Sequence, residues 1–153
     1  MNRFTLTQKI AGALHIGTMP EKVRSILAAE GDMVYLAESI LETATYRNFR
    51  SPNAYRGRGR KGFVGYFALT GRRIVAGAGL YNKIDVNLLF DEPAFKQVNF
   101  TVKPRYLAMT FDPSCRMPGM SGEIEIRLHI PDVTYAAQLL LEKGANFSSK
   151  GVT

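Results

Sequence analysis

The chain has 153 residues, of which 46% are apolar, and its 20 basic and 13 acidic side chains give a formal net charge of +7. This length suits one globular domain with its own core, and no apolar run approaches the roughly 20 residues of a transmembrane helix. A single cysteine, Cys115, excludes an internal disulfide and is typical of a reducing compartment. The first residues lack the apolar core and cleavage site of a signal peptide. We therefore expect a cytoplasmic protein.

The positive charge is concentrated in one window of the chain. Residues 43–84 contain no acid and nine bases, whereas the rest of the chain has 11 bases and 13 acids. The bases of the window are Arg47, Arg50, Arg56, Arg58, Arg60, Lys61, Arg72, Arg73 and Lys83. Charge that only served solubility would be scattered, so this partition indicates one surface that faces an anionic partner.

Two helices are predicted at the start of the chain. Residues 7–16 form a short helix with Ile10 and Leu14 on one face. A second helix has Pro20 at its first position and ends at Gly31, because proline suits a helix start and glycine a helix end. We expect residues 1–31 to be an N-terminal helical extension.

Seven strands follow, with the two-residue periodicity and turn signals of antiparallel sheet. They cover residues 33–49, 62–70, 72–76, 83–90, 95–102, 105–111 and 123–130. The first has an untidy alternation that predicts a bend or bulge, and Thr70-Gly71 is a tight turn. An amphipathic helix then begins after Asp132 as N-cap and ends at Gly144.

Seven strands with one solvated face each must curl and close to cover a core and protect their edges. We therefore predict a mainly β fold with helices, in which residues 32–145 form an antiparallel barrel capped by the C-terminal helix. Residues 146–153 are expected to be a flexible tail.

The order of elements from Met33 to Lys143, and the segment GYFALTGRRIVAG at 65–77, resemble the pleckstrin-homology superfold and its bacterial PH-like and GRAM-like members. The resemblance implies a seven-stranded barrel with ligands near loops 50–61, 77–82 and 112–122. In members that bind phosphoinositides, a basic residue late in strand 1 precedes a basic-x-Arg triplet. Arg47 or Arg50 matches the first and Arg58-Gly59-Arg60 the second, although the triplet lies in a predicted loop and begins with arginine instead of lysine.

The stretch YRGRGRKG at 55–62 is the most distinctive local feature. Arginine forms bidentate hydrogen bonds with phosphate, and glycine lets backbone N–H groups approach an anion. Tyr55 and Phe63 flank the charges and could insert at a membrane surface or stack on a base. The alternatives are a solvated loop, an acidic protein partner, and a nucleic-acid hook that lacks the proline such hooks carry after the Arg-Gly-Arg core.

Catalysis and metal binding have little support in the sequence. The two histidines are His15 and His129, and His129 lies at a solvent-facing position of a strand. No His, Cys or carboxylate spacing matches a metal motif, and Cys115 is best interpreted as a spectator thiol. We expect no cofactor. The face formed by Glu123, Glu125, Arg127 and His129 is a solvated surface or, less favoured, a self-association surface.

The leading interpretation is a non-enzymatic adaptor that binds anionic phospholipid headgroups, peripherally at the inner face of a membrane. Its site comprises Arg47, Arg50, Arg56, Arg58, Arg60 and Lys61, supported by Arg72, Arg73 and Arg116. The first alternative is a protein–protein or homo-oligomerisation module without lipid, and the second is nucleic-acid binding through RGRGRK.

Overall fold

The computed structural model describes residues 17–78, 83–115 and 117–148. The predicted helix 7–16, Arg116 and residues 149–153 of the predicted tail lie outside this part. So does most of the predicted ligand loop 77–82.

Eight strands and three α-helices are present in the described residues. The helices are α1 (Glu21–Glu30), α2 (Pro93–Lys96) and α3 (Val133–Glu142), with a 3₁₀ turn at Pro113–Cys115. The strands are β1 (Met33–Ser51), β2 (Ala54–Thr70), β3 (Arg73–Ala78), β4 (Lys83–Leu89), β5 (Asn99–Val102), β6 (Leu107–Phe111), β7 (Ser121–His129) and β8 (Asn146–Phe147). Their hydrogen-bonding order is β4-β3-β2-β1-β7-β6-β5-β8. The mainly β class is confirmed, but the predicted number of seven strands is wrong.

In the described part of the chain, none of the helices combines the length and the apolar character that crossing a bilayer requires.

The described residues divide into two compact units. The first takes residues up to Leu41 together with Phe63–Asp91, and the second takes Glu42–Gly62 and the residues after Asp91. Both β1 and β2 are therefore shared: one end of each strand belongs to the first unit and the other end belongs to the second.

The first unit is organised by α1, which packs its apolar side on the sheet. The residues of this cluster are Met19, Val23, Leu27, Tyr66, Ala68 and Val75. The carboxylate of Glu38 on β1 accepts the backbone N–H of Met19 at 2.7 Å and an Nη2–H of Arg24 at 3.1 Å. These two bonds join both the start of α1 and the segment before it to the first strand. The predicted end at Gly31 is confirmed, whereas Pro20 precedes the first helical residue.

The predicted hairpin of the first unit is confirmed. Leu69 pairs with Ile74 across the turn, and the Thr70 hydroxyl accepts the backbone N–H groups of Arg72 and Arg73 at 3.1 Å each. Ile74 and Leu69 are fully buried. The turn is thus held by a side-chain cap as well as by the strand ladder.

In the second unit, β5, β6 and β7 form a regular antiparallel ladder. The predicted strand start at Phe95 is wrong, because Pro93–Lys96 is a helical turn that places Phe95 in the core, 6.0 Å from the Phe100 ring. Proline at the first position of a helix has a suitable φ and needs no hydrogen bond for its missing N–H. The preference of Pro93 for a helix start therefore outweighs the apolar alternation that predicted a strand from residue 95.

The C-terminal helix is present, but its start and the following tail differ from the prediction. Asp132 has φ 55° and ψ 50° and makes no side-chain cap, so it turns the chain instead of capping the helix. Gly144, with φ 86°, ends the helix as expected. Asn146 and Phe147 then pair in parallel with Asn99 and Phe100. The flexible-tail prediction is therefore wrong for β8, because the Phe147 ring packs 5.6 Å from Phe100.

The predicted irregularity of the first strand corresponds to positive φ values at Ser39 and Asn48. Near the second of these, β7 comes very close to β1 in the second unit. A Cβ atom on Gly122, whose φ is 113°, would collide with the carbonyl oxygen of Asn48 and lie 2.9 Å from that of Arg47. The close approach therefore requires glycine at position 122.

We expect Gly122→Ala to lower the free energy of unfolding by about 2 kcal/mol or more, because it combines a left-handed backbone with a backbone collision. The matched control is Gly71→Ala, since a Cβ there meets nothing within 4 Å. The control should stay within about 0.5 kcal/mol of the unsubstituted protein. Urea unfolding measures both, and equal stabilities for the two variants would show that β7 does not depend on this contact.

A candidate anion-binding hairpin

The predicted ligand loop 50–61 is mostly strand. β1 continues to Ser51 and β2 begins at Ala54, so the connection is the two-residue turn Pro52-Asn53. The whole YRGRGRKG stretch lies within β2. We define the basic hairpin as residues 42–62, the part of β1 and β2 that belongs to the second unit.

Gly59 and Gly62 of the basic hairpin are not required by close packing, because a Cβ at either position would make only ordinary contacts with β1. A Cβ on Gly59 would lie 3.9 Å from the Tyr46 ring, and one on Gly62 would lie 3.9 Å from Glu42 and Thr43. Glycine disfavours strands because of its entropy. Hydrogen bonding to the adjacent β1 overcomes this preference here, as tertiary context often does.

Four of the predicted cations are exposed on the basic hairpin: Arg50, Arg58, Arg60 and Lys61. Side chains alternate along a strand, so Arg58 and Arg60 share one face and Lys61 lies on the other. Arg56 belongs to the same strand, and its side chain lies outside the described part. Three of the four exposed cations therefore lie along β2, and Arg50 lies on β1, the other strand of the hairpin.

Arg47 belongs to the same hairpin but is already bonded to carboxylates of the second unit. Its Nη1 donates to Glu123 at 2.7 Å and its Nη2 to Glu125 at 3.3 Å. The hydrogen bond to Glu123 is the main reason why the pKa of Arg47 rises above its ordinary value, although burial opposes it. We therefore assign Arg47 a structural role, joining β1 to β7.

Arg72 and Arg73, the predicted supporting residues of the site, belong to the first unit. Arg73 donates to Glu30 on α1 at 2.5 Å and to the Asn87 side chain at 3.0 Å, so it anchors the helix to the sheet. The Arg72 side chain is exposed beside the turn. Neither residue belongs to the basic hairpin or its unit.

Aromatic rings accompany the charges near the tip of the hairpin. The Arg50 guanidinium lies 5.0 Å from the ring centre of Tyr55, which is 59% exposed. Tyr46 and Phe49 pack edge to face with centroids 5.4 Å apart. Sequence reasoning noted Tyr55 but missed Tyr46 and Phe49, although both lie within four residues of Arg47 or Arg50. Phe63, the other predicted flanking aromatic, belongs to the first unit.

The electrostatic influence of the basic hairpin reaches His129 at the end of β7. Burial lowers the pKa of His129 below its ordinary 6.5, and the positive charges of Arg127 and Arg60 lower it further. The His129 ring lies 5.4 Å from Tyr106, whose ring also contacts Arg127 at 4.9 Å. The predicted solvent-facing position of His129 is therefore only partly exposed and electrostatically positive.

Across residues 17–78, 83–115 and 117–148, the structure has no cluster of three or more His, Cys, Asp or Glu residues arranged to hold a metal ion. Cys115 is partly buried at the end of the 3₁₀ turn.

No family model, curated protein or solved structure matches this chain. The resemblance to pleckstrin-homology domains therefore stays a prediction, and function has to be argued from the geometry of the chain itself.

We expect the protein to lose stability as the pH falls through the range in which His129 titrates. Because folding lowers its pKa, the unfolded chain takes up the proton first. Its contribution is complete above about pH 7 and is lost as the pH falls below 6.5 towards the folded value. The measurement is urea unfolding between about pH 5.5 and 7.5, a range above most carboxylate titrations.

His129→Gln is the matched variant, because it keeps a polar side chain that cannot ionise in this range. It should show a smaller loss of stability on acidification than the unsubstituted protein. Identical pH profiles for the two proteins would mean that folding leaves the proton affinity of His129 unchanged.

Proposed function

We propose that this protein is a non-enzymatic binding module that recognises an anionic, phosphate-bearing surface through its basic hairpin, with membrane phospholipid headgroups as the ligand. The observation that carries the proposal is the exposure of Arg50, Arg58, Arg60 and Lys61 on a hairpin with no acid between residues 43 and 62. Exposed cations without acidic neighbours attract anions instead of forming internal ion pairs.

The arrangement of the charges favours an extended partner over a single small anion. Arg58 and Arg60 are two residues apart on one strand, so their Cα atoms are separated by about 6–7 Å. A surface that presents many phosphates can contact several such cations at once, whereas one small anion cannot. Arginine also offers a planar pair of donors that matches phosphate oxygens.

The exposed aromatic side chain of Tyr55 adds support for a membrane as the source of the phosphate. Tyrosine has an apolar ring and a polar hydroxyl, and such side chains are favoured at the membrane–water interface. Its pairing with Arg50 places an aromatic ring and a cation together near the hairpin tip. A bilayer interface offers partners for both groups, since apolar chains lie directly beneath its charged headgroups.

We also propose a pleckstrin-homology-like relationship. The element order that carried the resemblance, seven successive strands and then an amphipathic helix, corresponds to β1 to β7 and α3. The predicted LT-turn-Arg hairpin is formed by β2 and β3. The additional β8 and the position of the basic triplet within β2 are departures from what the family implies.

The test is sedimentation with phosphatidylcholine vesicles that contain increasing phosphatidylserine, at low salt. The triple variant Arg58→Gln, Arg60→Gln, Lys61→Gln should bind on the order of 100-fold more weakly, because each basic residue near an anionic leaflet contributes about 1 kcal/mol. The difference in affinity between the two proteins should shrink as salt is added, because screening weakens the electrostatic binding of the unsubstituted protein more than that of the variant.

The control removes the same charge elsewhere, in the variant Lys22→Gln, Arg105→Gln, Lys143→Gln, whose three side chains are exposed. It should retain most of the binding. Equal losses for both triple variants would reduce the effect to net charge alone. Lack of vesicle binding by the unsubstituted protein would overturn the proposal. If the protein binds RNA or DNA at the same salt concentration but does not bind vesicles, the ligand is nucleic acid instead.

A further inference from the structure

The outward face of β7 is a row of charged side chains that the sequence interpretation left to solvent or to self-association. Along this strand the inward residues Ile124, Ile126 and Leu128 are buried. The outward residues, which alternate with them, are Glu123, Glu125, Arg127 and His129. All four lie in the second unit, together with the basic hairpin.

The two ends of this row differ in electrostatic character. At one end, both carboxylates are already bonded to arginine. Arg47 contacts Glu123 and Glu125, and Glu125 also accepts the Nε–H of Arg127 at 3.2 Å. At the other end, the pKa of His129 is lowered by burial and also by the positive charges of Arg127 from β7 and Arg60 from β2. The His129 end therefore has an excess of positive charge.

Tyr106 organises this positive end. Its ring lies next to both the Arg127 guanidinium, at 4.9 Å, and the His129 ring, at 5.4 Å. Packing on an aromatic ring restricts both side chains and so lowers the entropic cost of using them as donors. Because the Nε–H of Arg127 is donated to Glu125, its terminal amino groups are the donors it has left for a ligand.

His129 responds to the charge of its surroundings. Burial, Arg127 and Arg60 all favour the neutral imidazole and lower its pKa. An oxyanion held between these groups would offset the two positive charges and favour the imidazolium, which is a further donor. By thermodynamic reciprocity, an anion that favours protonation binds more tightly to the protonated protein.

We propose that Arg127 and His129, which both pack on the Tyr106 ring, form together with Arg60 of β2 a binding site for one phosphate-type oxyanion, and that acidification tightens this site. The inference rests on the proposed function, because it places a headgroup phosphate of the anionic bilayer at this end of the β7 row. The charged groups that lower the pKa of His129 are Arg127 on its own strand and Arg60 on β2, and Tyr106, which packs on the His129 ring, comes from the segment before β6. Glu125 lies four residues before His129 on β7, and its carboxylate is bonded to Arg127 and Arg47.

The first test uses sulfate, an oxyanion that does not titrate in the relevant range. NMR of the imidazole carbon-bound protons would follow the whole chain from about pH 5 to 8, in sodium sulfate and in sodium chloride of equal ionic strength. The chain has two histidines, His15 and His129, so the variant His129→Gln assigns the signals and His15 is an internal control.

Sulfate should raise the pKa of His129 by about half a unit or more relative to chloride, corresponding to roughly threefold tighter binding by the protonated form. The pKa of His15 should be the same in both salts. Arg127→Gln should abolish the difference, whereas Tyr106→Phe, which keeps the ring, should retain it. Equal values for His129 in the two salts would overturn the site.

The second test uses phosphatidylcholine vesicles with phosphatidylglycerol, whose phosphodiester keeps its charge across this range. Binding should become several-fold tighter from about pH 7.5 to 5.5 in the unsubstituted protein and stay nearly constant in His129→Gln. Vesicle binding without pH dependence would overturn this inference and leave the proposed function intact. A sulfate effect on His129 without vesicle binding would support the oxyanion site and overturn the membrane proposal.

Discussion

The pairing of β1 with β2 is the constraint on which the rest of the structure depends. These are the two longest strands, of 19 and 17 residues, and each contributes one end to either compact unit. In the first unit they provide the surface that α1 covers. In the second, β1 is the neighbour that converts a glycine- and arginine-rich stretch into strand. A segment with such poor intrinsic strand preference is ordered because its backbone groups find partners across the ladder.

Arginine has two different roles in this protein, and the nearby acids distinguish them. Arg47 and Arg73 contact carboxylates within their own units and thereby connect β1 to β7 and α1 to β3. Arg50, Arg58 and Arg60 are exposed on a stretch without acids. Partly exposed ion pairs contribute modestly to stability. Their clearer effect is to reduce the number of cations that remain for a ligand.

The second unit brings exposed arginines, aromatic rings and one histidine to neighbouring strands. Burial lowers the pKa of His129 below its ordinary value, and the positive charges of Arg127 and Arg60 lower it further. Such a group connects the occupancy of a nearby anion site to pH without a change of fold, because electrostatic interaction alone carries the coupling. The aromatic ring of Tyr106 stabilises the relative positions of the interacting groups, which keeps that coupling defined.

The sequence by itself determined the mainly β class, the β2–β3 turn, the inward and outward faces of β7, the C-terminal helix and the acid-free basic window. These features follow from local periodicity, turn chemistry and composition, which depend on near neighbours in the chain. Only the tertiary structure decided that YRGRGRKG is strand, that Phe147 adds an eighth strand beside Phe100, and that Arg47 is bonded to Glu123, 76 residues away. Each of these outcomes depends on a partner distant in sequence, and local propensity contains no information about that partner.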